Sequence, residues 1–304
     1  MMRICIFGAG ALGSAVGGIL ASKHDVSLVC RRSHSSAMKK NGLRITGLAN
    51  KLVRVPSFER IEDAPPADLL MITVKAFDTA TAIESCRTVV DGSVRVLTLQ
   101  NGLGNLELLR EWKGSKSFGG TTTIGARYVG PGVVELSGFG RTVIGGDRDL
   151  TWARRIAEAF SESGIEASVK KDIAREIWSK VVVSACINPL TAILKVPNGT
   201  LLVSPTISRL VSEVVKECVR VSTAEGHRLS ERASIAHVRW VAKNTSGNRS
   251  SMLQDVENGK RTEISMINGA ICRCAERRGI PVPLNSSLVA IVESLERANL
   301  SEKG

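Results

Sequence analysis

The stretch RICIFGAGALG, residues 3–13, decides the fold. Arg3–Phe7 is a short apolar run typical of a buried strand, and the pattern Gly-x-Gly-x-x-Gly follows it directly. Gly8 permits a tight turn, Gly10 lets the backbone approach a pyrophosphate, and Gly13 lets the next helix pack closely on the strand. A glycine-rich turn without a ligand is the alternative. The order of strand, glycine turn and helix N-terminus favours a dinucleotide-binding site.

The residues after the second predicted strand indicate which dinucleotide is bound. This strand covers Val26–Cys30, and an NAD site usually carries an acidic residue near that point to bond the ribose hydroxyls. Here the sequence has Arg31, Arg32 and Ser33 instead. Guanidinium groups bind phosphate through paired hydrogen bonds, so these residues suit the 2′-phosphate of NADP(H). We expect Arg31 to make the main contact; two solvated arginines at a strand end are the alternative.

Strands and helices alternate through the first half of the chain. Apolar runs at Leu69–Val74 and Val94–Leu99 predict two more strands, with helical spacing over Ala11–Ser22 and Thr79–Val89. This alternation predicts a parallel sheet with helices on both faces. Shorter strands are predicted at Phe118–Ala126, Val133–Leu136 and Thr142–Ile144, and a helix at Leu150–Ser163.

Beyond residue 170, helical spacing dominates and strand-like runs nearly disappear. Helices are predicted at Ala174–Cys186, Ile207–Glu225, Ile235–Asn244, Thr262–Arg278 and Ser286–Ala298. The sequence therefore predicts an α/β protein, with an N-terminal Rossmann-type parallel-sheet domain over residues 1–170 and an all-α C-terminal domain over residues 171–304.

Composition limits the class of protein. The 304 residues are 43% hydrophobic and 4% aromatic, so the chain can bury an aliphatic core. The net charge of +12 comes from basic residues that are spread along the chain, which favours a solvated surface or small anions over nucleic acid. No apolar run reaches the ~18–20 residues of a membrane span. We therefore expect neither a nucleic-acid nor a membrane partner.

Cysteine and histidine spacing predicts no metal site. The seven cysteines form no CxxC pair, so zinc-ribbon and thioredoxin-type sites are excluded. Free thiols of this kind are typical of a reducing cytoplasm. The four histidines, at positions 24, 34, 227 and 237, also lack ligand spacing, and we expect them at the surface or in caps.

Polar residues stand at two strand ends and along one helix. Lys75 follows the third predicted strand and Asn101 the fourth, and ligands of parallel sheets bind beyond such carboxyl ends. Lys180, Ser184 and Asn188 are four residues apart and share one face of an otherwise apolar helix. An exposed lysine on an amphipathic helix is the alternative. A polar stripe on a buried helix needs polar partners, so we expect a polar cleft.

A series of short motifs runs along the chain. They are GAGALG at 8–13, VKA at 74–76, QNGLG at 100–104, GTTT at 120–123 leading to AR at 126–127, WSK at 178–180, INPLTA at 187–192, PNG at 197–199, SSMLQD at 250–255, TEI at 262–264, ING at 267–269 and GIPVP at 279–283. In this order the motifs resemble the ketopantoate reductase family over essentially the whole chain. The resemblance implies an NADPH-dependent reduction of 2-dehydropantoate (ketopantoate) to (R)-pantoate, on the route to pantothenate and coenzyme A.

The resemblance also implies roles for single residues. The catalytic residues would be Lys180, as general acid, and Glu263. The implied cofactor contacts are Gly8, Ala9, Gly10, Ala11, Leu12, Gly13, Arg31, Lys75, Asn101, Ala126 and Glu263, and the implied substrate contacts are Asn101, Lys180, Ser184, Asn188, Asn198, Ser250 and Ser251. Ser184 stands where the family often has asparagine. A serine is shorter and has no carboxamide, so its contact with substrate would run through water or be lost.

Three other functions stay open on the sequence. An NADP-dependent reductase of another 2-keto acid would use the same lysine. A regulator that binds a dinucleotide without catalysis would need neither Lys180 nor Glu263. A nucleic-acid-binding role rests on the net charge alone. The expected partner is a small 2-keto acid. A homodimer that forms through the helical half is also expected, although no particular residue predicts it.

Overall fold

The chain folds into two compact units. The computed structural model describes residues 1–146 and 149–301. Met1–Gln100 and Asn105–Glu176 form the first unit, and Asn101–Gly104 joins the chain from Ile177 onward in the second. The division at Glu176 falls later than the predicted boundary after residue 170. The reason is that Ile173 packs directly over Gly145, so the first turn of its helix belongs to the first unit.

The first unit alternates strands and helices as predicted. Its elements in chain order are β1 (Arg3–Phe7), α1 (Ala11–Leu20), β2 (Asp25–Val29), α2 (Arg32–Asn41), β3 (Leu43–Gly47), β4 (Lys51–Val53), β5 (Ser57–Phe58), β6 (Leu69–Ile72), α3 (Thr79–Arg87), β7 (Arg95–Thr98), α4 (Asn105–Lys113), β8 (Ser117–Thr122), β9 (Gly125–Gly130), β10 (Val133–Gly138), β11 (Thr142–Gly145), α5 (Leu150–Glu162) and β12 (Ala167–Val169).

Eight strands form the main sheet, in the order β12-β11-β8-β7-β6-β1-β2-β5. From β8 to β5 all neighbours are parallel, and β11 runs antiparallel to β8. On β1, Ile4 and Ile6 join one apolar cluster and Cys5 joins the other, so the sheet is covered on both faces. The strand order reverses at β1, which lies between β2 and β6, and ligands of such sheets bind beyond the carboxyl ends at that point.

A second sheet of four strands, in the order β4-β3-β10-β9, is a feature that the sequence analysis did not predict. The prediction of one strand over Phe118–Ala126 is wrong, because this segment contributes one strand to each sheet. The Ile124 N–H donates to Thr122 Oγ1 at 3.2 Å, and this turn ends β8 before β9 begins. β8 stays in the main sheet, and β9 pairs with β10 in the second one.

The second unit is helical. Its elements are α6 (Ile173–Leu194), a 3-10 turn (Asn198–Leu202), α7 (Pro205–Ala224), α8 (Glu231–Asn244), α9 (Ser251–Glu257), a 3-10 turn (Ile264–Met266), α10 (Asn268–Arg277) and α11 (Pro283–Ser301). Their apolar faces enclose one core that includes Val182, Val214 and Ile271.

Two helix predictions differ from the structure. One continuous helix over Thr262–Arg278 is wrong, because the Ile264 N–H donates to Thr262 Oγ1 and the backbone leaves helical geometry at Ile267 (φ −104°, ψ −89°) before α10 begins. The helix predicted to end at Cys186 instead continues through Pro189 to Leu194.

Among the described residues, α6 is the one helix long and apolar enough to span a membrane by length and composition. This corrects the expectation that no segment reaches that length. The most apolar window of α6 is 56% buried inside the protein, and the core helix of a soluble protein passes the same test.

The close approach of Gly8 to Val74, two residues after β6, gives a first prediction. Gly8 has φ +94°, and a Cβ there would lie 2.5 Å from the Val74 backbone nitrogen. Left-handed backbone costs a non-glycine residue roughly 1–2 kcal/mol, and overpacking adds roughly 1–3 kcal/mol. We expect Gly8→Ala to lower the free energy of unfolding by about 2–5 kcal/mol in urea denaturation.

Gly92→Ala is the matched control, because its φ is not positive and, apart from its two chain neighbours, no described residue has an atom within 4 Å of the Cβ position. Its free energy of unfolding should stay within about 0.5 kcal/mol of the parent. Equal losses in the two variants would show that the packing of Gly8 against Val74 is not the cause.

Candidate active site

The glycine turn between β1 and α1 is shaped to receive a phosphate group. The first helical hydrogen bond runs from the Ser14 N–H to the Gly10 carbonyl at 3.1 Å, so the N–H groups of Ala11, Leu12 and Gly13 precede the hydrogen-bonded ladder. Gly10 is exposed, and the nearest atom to its Cβ position is the Gly8 oxygen at 3.9 Å. This open cradle of N–H donors fits a dinucleotide pyrophosphate.

Side chains hold the carbonyl groups of the same turn. Thr73 Oγ1 donates to the Gly8 oxygen at 3.1 Å, and Ser14 Oγ donates to the Ala9 oxygen at 3.0 Å. A Cβ on Gly13 would collide with Thr73 Oγ1 and would lie 3.2 Å from Ile6, so α1 lies directly on the sheet. Sequence reasoning missed Thr73 and Ser14, whose residue types are too common to stand out.

His34 fixes this arrangement from α2. Its Nδ1 accepts from the Gly132 N–H at 2.8 Å, so Nε2 carries the proton and donates to Ser14 Oγ at 3.0 Å. Burial lowers the pKa of His34, which keeps the ring neutral in this role. The expectation that the histidines lie at the surface or in caps is wrong for His34, which is buried. His24 is buried too, but it bonds the Ala159 carbonyl in the last turn of α5 and so acts as a cap.

The predicted 2′-phosphate residues lie at the start of α2. Arg31 is exposed, and its carbonyl accepts the N–H groups of His34 and Ser35. Arg32 is already paired, with Nε 2.9 Å from Glu59 Oε2. In the part of the chain that the structure describes, Arg31 makes no such ion pair, so it is the guanidinium that stays available for an anion.

Lys75 and Ala126 complete the predicted cofactor residues of the first unit. Lys75 is half-buried just beyond β6. The residue before it, Val74, is held by Gln100, whose Nε2 donates to the Val74 oxygen at 2.8 Å. Ala126 is half-buried on β9 of the second sheet, opposite Leu136.

In the second unit, hydrogen bonds bring Lys180, Asn101 and Glu263 together. Lys180 Nζ donates to Asn101 Oδ1 at 2.9 Å, and Asn101 Nδ2 donates to Glu263 Oε2 at 3.2 Å. The segment that carries Asn101 is fastened to the turn after Glu263, because the Leu103 N–H donates to the Met266 oxygen at 3.0 Å. We call these three side chains the acid–base group.

The surroundings of the acid–base group tune the lysine. Burial lowers the pKa of Lys180 to about 8, and the attraction of Glu263 opposes this fall. Glu263 is itself only 6% exposed. A lysine with a pKa near 8 is still mostly protonated at pH 7 and releases its proton more readily than an exposed lysine does.

The remaining predicted substrate residues also belong to the second unit. Ser184 and Asn188 are half-buried, one and two turns after Lys180 on α6. Asn198 is buried and donates to Thr245 Oγ1 at 2.9 Å, whereas its own Oδ1 has no hydrogen-bond partner among the described residues. This carboxamide oxygen is therefore a buried acceptor that no described residue satisfies.

Two serines at the start of α9 differ from each other. Ser250 is buried, and its Oγ accepts from the Leu253 N–H at 3.1 Å and from Thr191 Oγ1 at 2.7 Å. Its hydroxyl therefore caps the helix. Ser251 is exposed. Thr191, which ties α6 to this cap, is a contact that the sequence analysis missed.

Comparisons with known proteins agree with this architecture. Residues 4–148 match the family model described as ketopantoate reductase PanE/ApbA, and residues 172–296 match the model for its C-terminal part. The 2-dehydropantoate 2-reductase of Archaeoglobus fulgidus is 40% identical over 299 residues, which cover 97% of this chain and 98% of the relative. The enzyme of the same name from Pyrococcus horikoshii is 38% identical over 300 residues, with 97% and 98% coverage.

Solved structures give the same result. A D-mandelate dehydrogenase, in a ternary structure with NADH and anilino(oxo)acetate, has a TM-score of 0.93 at 29% identity and covers 98% of this chain and 99% of its own. A PanE/ApbA family ketopantoate reductase from Ralstonia eutropha has a TM-score of 0.91 at 31% identity, with 98% and 100% coverage.

A parallel-sheet unit with a dinucleotide-binding turn, followed in the chain by a helical unit that carries a half-buried lysine, defines an oxidoreductase. The family matches cover both units of the chain. The chain belongs to the ketopantoate reductase family.

The electrostatics of the acid–base group give a second prediction. Glu263→Gln removes the attraction that raises the pKa of Lys180, so this pKa should fall below about 8. The measurement is the pH dependence of Lys180 acylation, followed by mass spectrometry, because only the neutral amine reacts. The midpoint should move to lower pH. Glu257→Gln, which removes the exposed partner of Arg249, is the control, and a Lys180 midpoint that moves equally in both variants would contradict the assignment.

Proposed function

We propose that this protein reduces 2-dehydropantoate to (R)-pantoate with NADPH and so serves pantothenate and coenzyme A biosynthesis. The observation that carries the proposal is the half-buried Lys180 ammonium, hydrogen-bonded to Asn101 and with its pKa lowered to about 8. The names of the relatives, which are 2-dehydropantoate 2-reductases at 36–40% identity, support the substrate.

Reduction of a ketone requires a proton donor at the carbonyl oxygen. When bound, the nicotinamide supplies the hydride that reaches C2. Lys180 acts as general acid: its ammonium stabilises the negative charge that develops on the substrate oxygen and then donates a proton to it. The low pKa brings its proton affinity close to that needed at neutral pH.

Asn101 and Glu263 keep this lysine in its working state. Asn101 Oδ1 accepts one N–H of the ammonium and so orients Nζ, while Asn101 Nδ2 is held by Glu263. The Glu263 carboxylate limits the fall in the pKa of Lys180, so that the ammonium persists at pH 7. The half-buried Ser184 and Asn188 offer further partners to polar groups of the substrate. Asn198 offers another, because its buried Oδ1 has no donor among the described residues.

The preference for NADPH rests on Arg31. This guanidinium is exposed after β2, and no acid among the described residues pairs with it, whereas Arg32 is paired with Glu59. The sequence at this position has no carboxylate that would bond the ribose hydroxyls of NADH. Because the structurally similar D-mandelate dehydrogenase has been solved with NADH, the experiments below compare NADPH with NADH directly.

The direct test is a spectrophotometric assay of purified protein with 2-dehydropantoate and NADPH or NADH, followed at 340 nm. The proposal expects turnover with NADPH, and much less with NADH. A panel of other 2-keto acids distinguishes a relative of different specificity, since a faster substrate from that panel would overturn the substrate assignment.

The general-acid role gives a third prediction. Lys180→Ala should reduce kcat by about 10²–10⁴-fold, the usual contribution of a general acid. In the parent, the reduction rate should fall as pH rises through about 8, because the ammonium is the active form. Lys195→Ala, an exposed lysine just after α6, is the control and should keep its rate. Near-normal turnover by the Lys180 variant would exclude it as the acid.

The cofactor assignment gives a fourth prediction. Arg31→Ala should weaken NADPH binding by about 10-fold or more, the loss of a charge-assisted contact, and leave NADH binding nearly unchanged. Fluorescence titration of the free enzyme measures both affinities. Arg32→Ala, which breaks the pair with Glu59, is the matched control with little effect. If the Arg31 variant lost both nucleotides equally, the 2′-phosphate contact would be wrong.

A further inference from the structure

The helix that carries Lys180 contains a proline, and this creates a gap in its hydrogen bonding. α6 extends through Pro189. Proline has no N–H, so the carbonyl four residues earlier, that of Ala185, loses its helical donor. Ala185 is fully buried, so bulk water does not reach this carbonyl. A buried carbonyl in this position needs a replacement donor.

Asn268 supplies that donor from another helix. Its Nδ2 lies 2.9 Å from the Ala185 oxygen, and the side chain is completely buried at the start of α10. The same Nδ2 donates to Asn285 Oδ1 at 3.0 Å. The Asn268 Oδ1, in contrast, has no partner among the described residues. Both neighbours of Nδ2 are oxygens, so only this orientation of the carboxamide works, and the residue serves as a donor.

The partner of Asn268 is itself held in place. Asn285 Nδ2 donates to Glu217 Oε2 at 2.8 Å, and its backbone N–H donates to the same oxygen at 3.0 Å. Glu217 Oε1 accepts the Leu284 N–H at 3.0 Å, so this buried carboxylate caps the start of α11. The carboxamide of Asn268 is therefore anchored to three helices that pack in one core.

Asn268 is close in the chain to one member of the acid–base group and bonds the backbone near another. The Glu263 carbonyl accepts the N–H groups of Met266 and Ile267 at 3.0 and 3.1 Å, and Asn268 follows directly. Ala185 follows Ser184, one turn beyond Lys180. One side chain thus connects the backbone of the Lys180 helix to the segment that begins with Glu263.

We propose that Asn268 is a positioning residue for the acid–base group, because it fills the donor gap left by Pro189 and so sets α6 against the Glu263 segment. It acts through Ala185 and touches no reacting atom. The geometry of Lys180, Asn101 and Glu263 depends on this register. The inference relies on the proposed function only for its kinetic readout.

A double-mutant cycle between Asn268 and Pro189 tests this. Asn268→Leu keeps the shape of the side chain but removes the donor, and Pro189→Ala restores a helical N–H to the Ala185 carbonyl. In the parent background we expect Asn268→Leu to lower Tm by about 4–8 °C. In the Pro189→Ala background the same change should lower Tm by less than half as much, because Ala185 then has its own donor.

The function of the acid–base group is read in the same four proteins. Asn268→Leu should lower kcat by about 10–100-fold, the scale of a small misplacement, and leave NADPH affinity unchanged. The pH midpoint of Lys180 acylation should move as well. Both effects of Asn268→Leu should be smaller in the Pro189→Ala background, where the double variant is compared with Pro189→Ala, than in the parent background. The acylation readout needs no substrate, so it remains valid even if 2-dehydropantoate proves not to be turned over.

Three outcomes would overturn the inference. An Asn268→Leu effect of equal size in both backgrounds would mean that Asn268 does not act through Ala185. A coupled loss of Tm with unchanged kcat and an unchanged Lys180 midpoint would mean that the contact only stabilises the fold. If Asn268→Leu gives no soluble protein, recovery of soluble protein in the double variant supports the inference, and insolubility of both contradicts it.

Discussion

A half-buried ammonium is the constraint on which the helical unit depends. Lys180 sits on an apolar helix, and removing its charge from water is costly unless polar groups replace the lost solvation. Asn101 Oδ1 provides one acceptor at 2.9 Å, and Glu263 provides the compensating charge. The two effects on the pKa of Lys180 do not cancel, because burial lowers it by more than the Glu263 carboxylate raises it. The pKa therefore falls, and the ammonium becomes a better proton donor.

In the glycine turn before α1, the backbone N–H groups of Ala11, Leu12 and Gly13 have no acceptor in the helix. The carbonyls of the turn are taken by Thr73 and Ser14, and Ser14 is in turn held by the neutral His34 ring. Because the acceptors are already engaged, the N–H groups at the start of α1 point to no competing partner in the turn itself. A phosphate gains most from donors that are preorganised in this way.

Local patterns made much of this architecture predictable. The glycine spacing after β1 and the i, i+4, i+8 stripe from Lys180 to Asn188 are local signals, and each identifies an element and one of its faces. The Asn101–Glu263 contact joins residues 162 positions apart, and only packing reveals it. The second sheet was missed because its short strands pair across the chain, and β8 and β9 read as one run until the Thr122 turn is seen.

Two buried carboxamide oxygens that have no partner among the described residues show why burial alone does not identify a binding group. Asn268 Nδ2 donates to two oxygens, one on α6 and one on α11, and this fixes the orientation of the carboxamide. In that orientation Asn268 Oδ1 has no donor among the described residues. Asn198 Nδ2 serves only Thr245, and no second oxygen in the described chain requires its orientation. A buried acceptor is expensive to leave unsatisfied, so the two amides carry this cost for different structural reasons. The distinction comes from counting donors on each amide, which the sequence does not allow and the structure does.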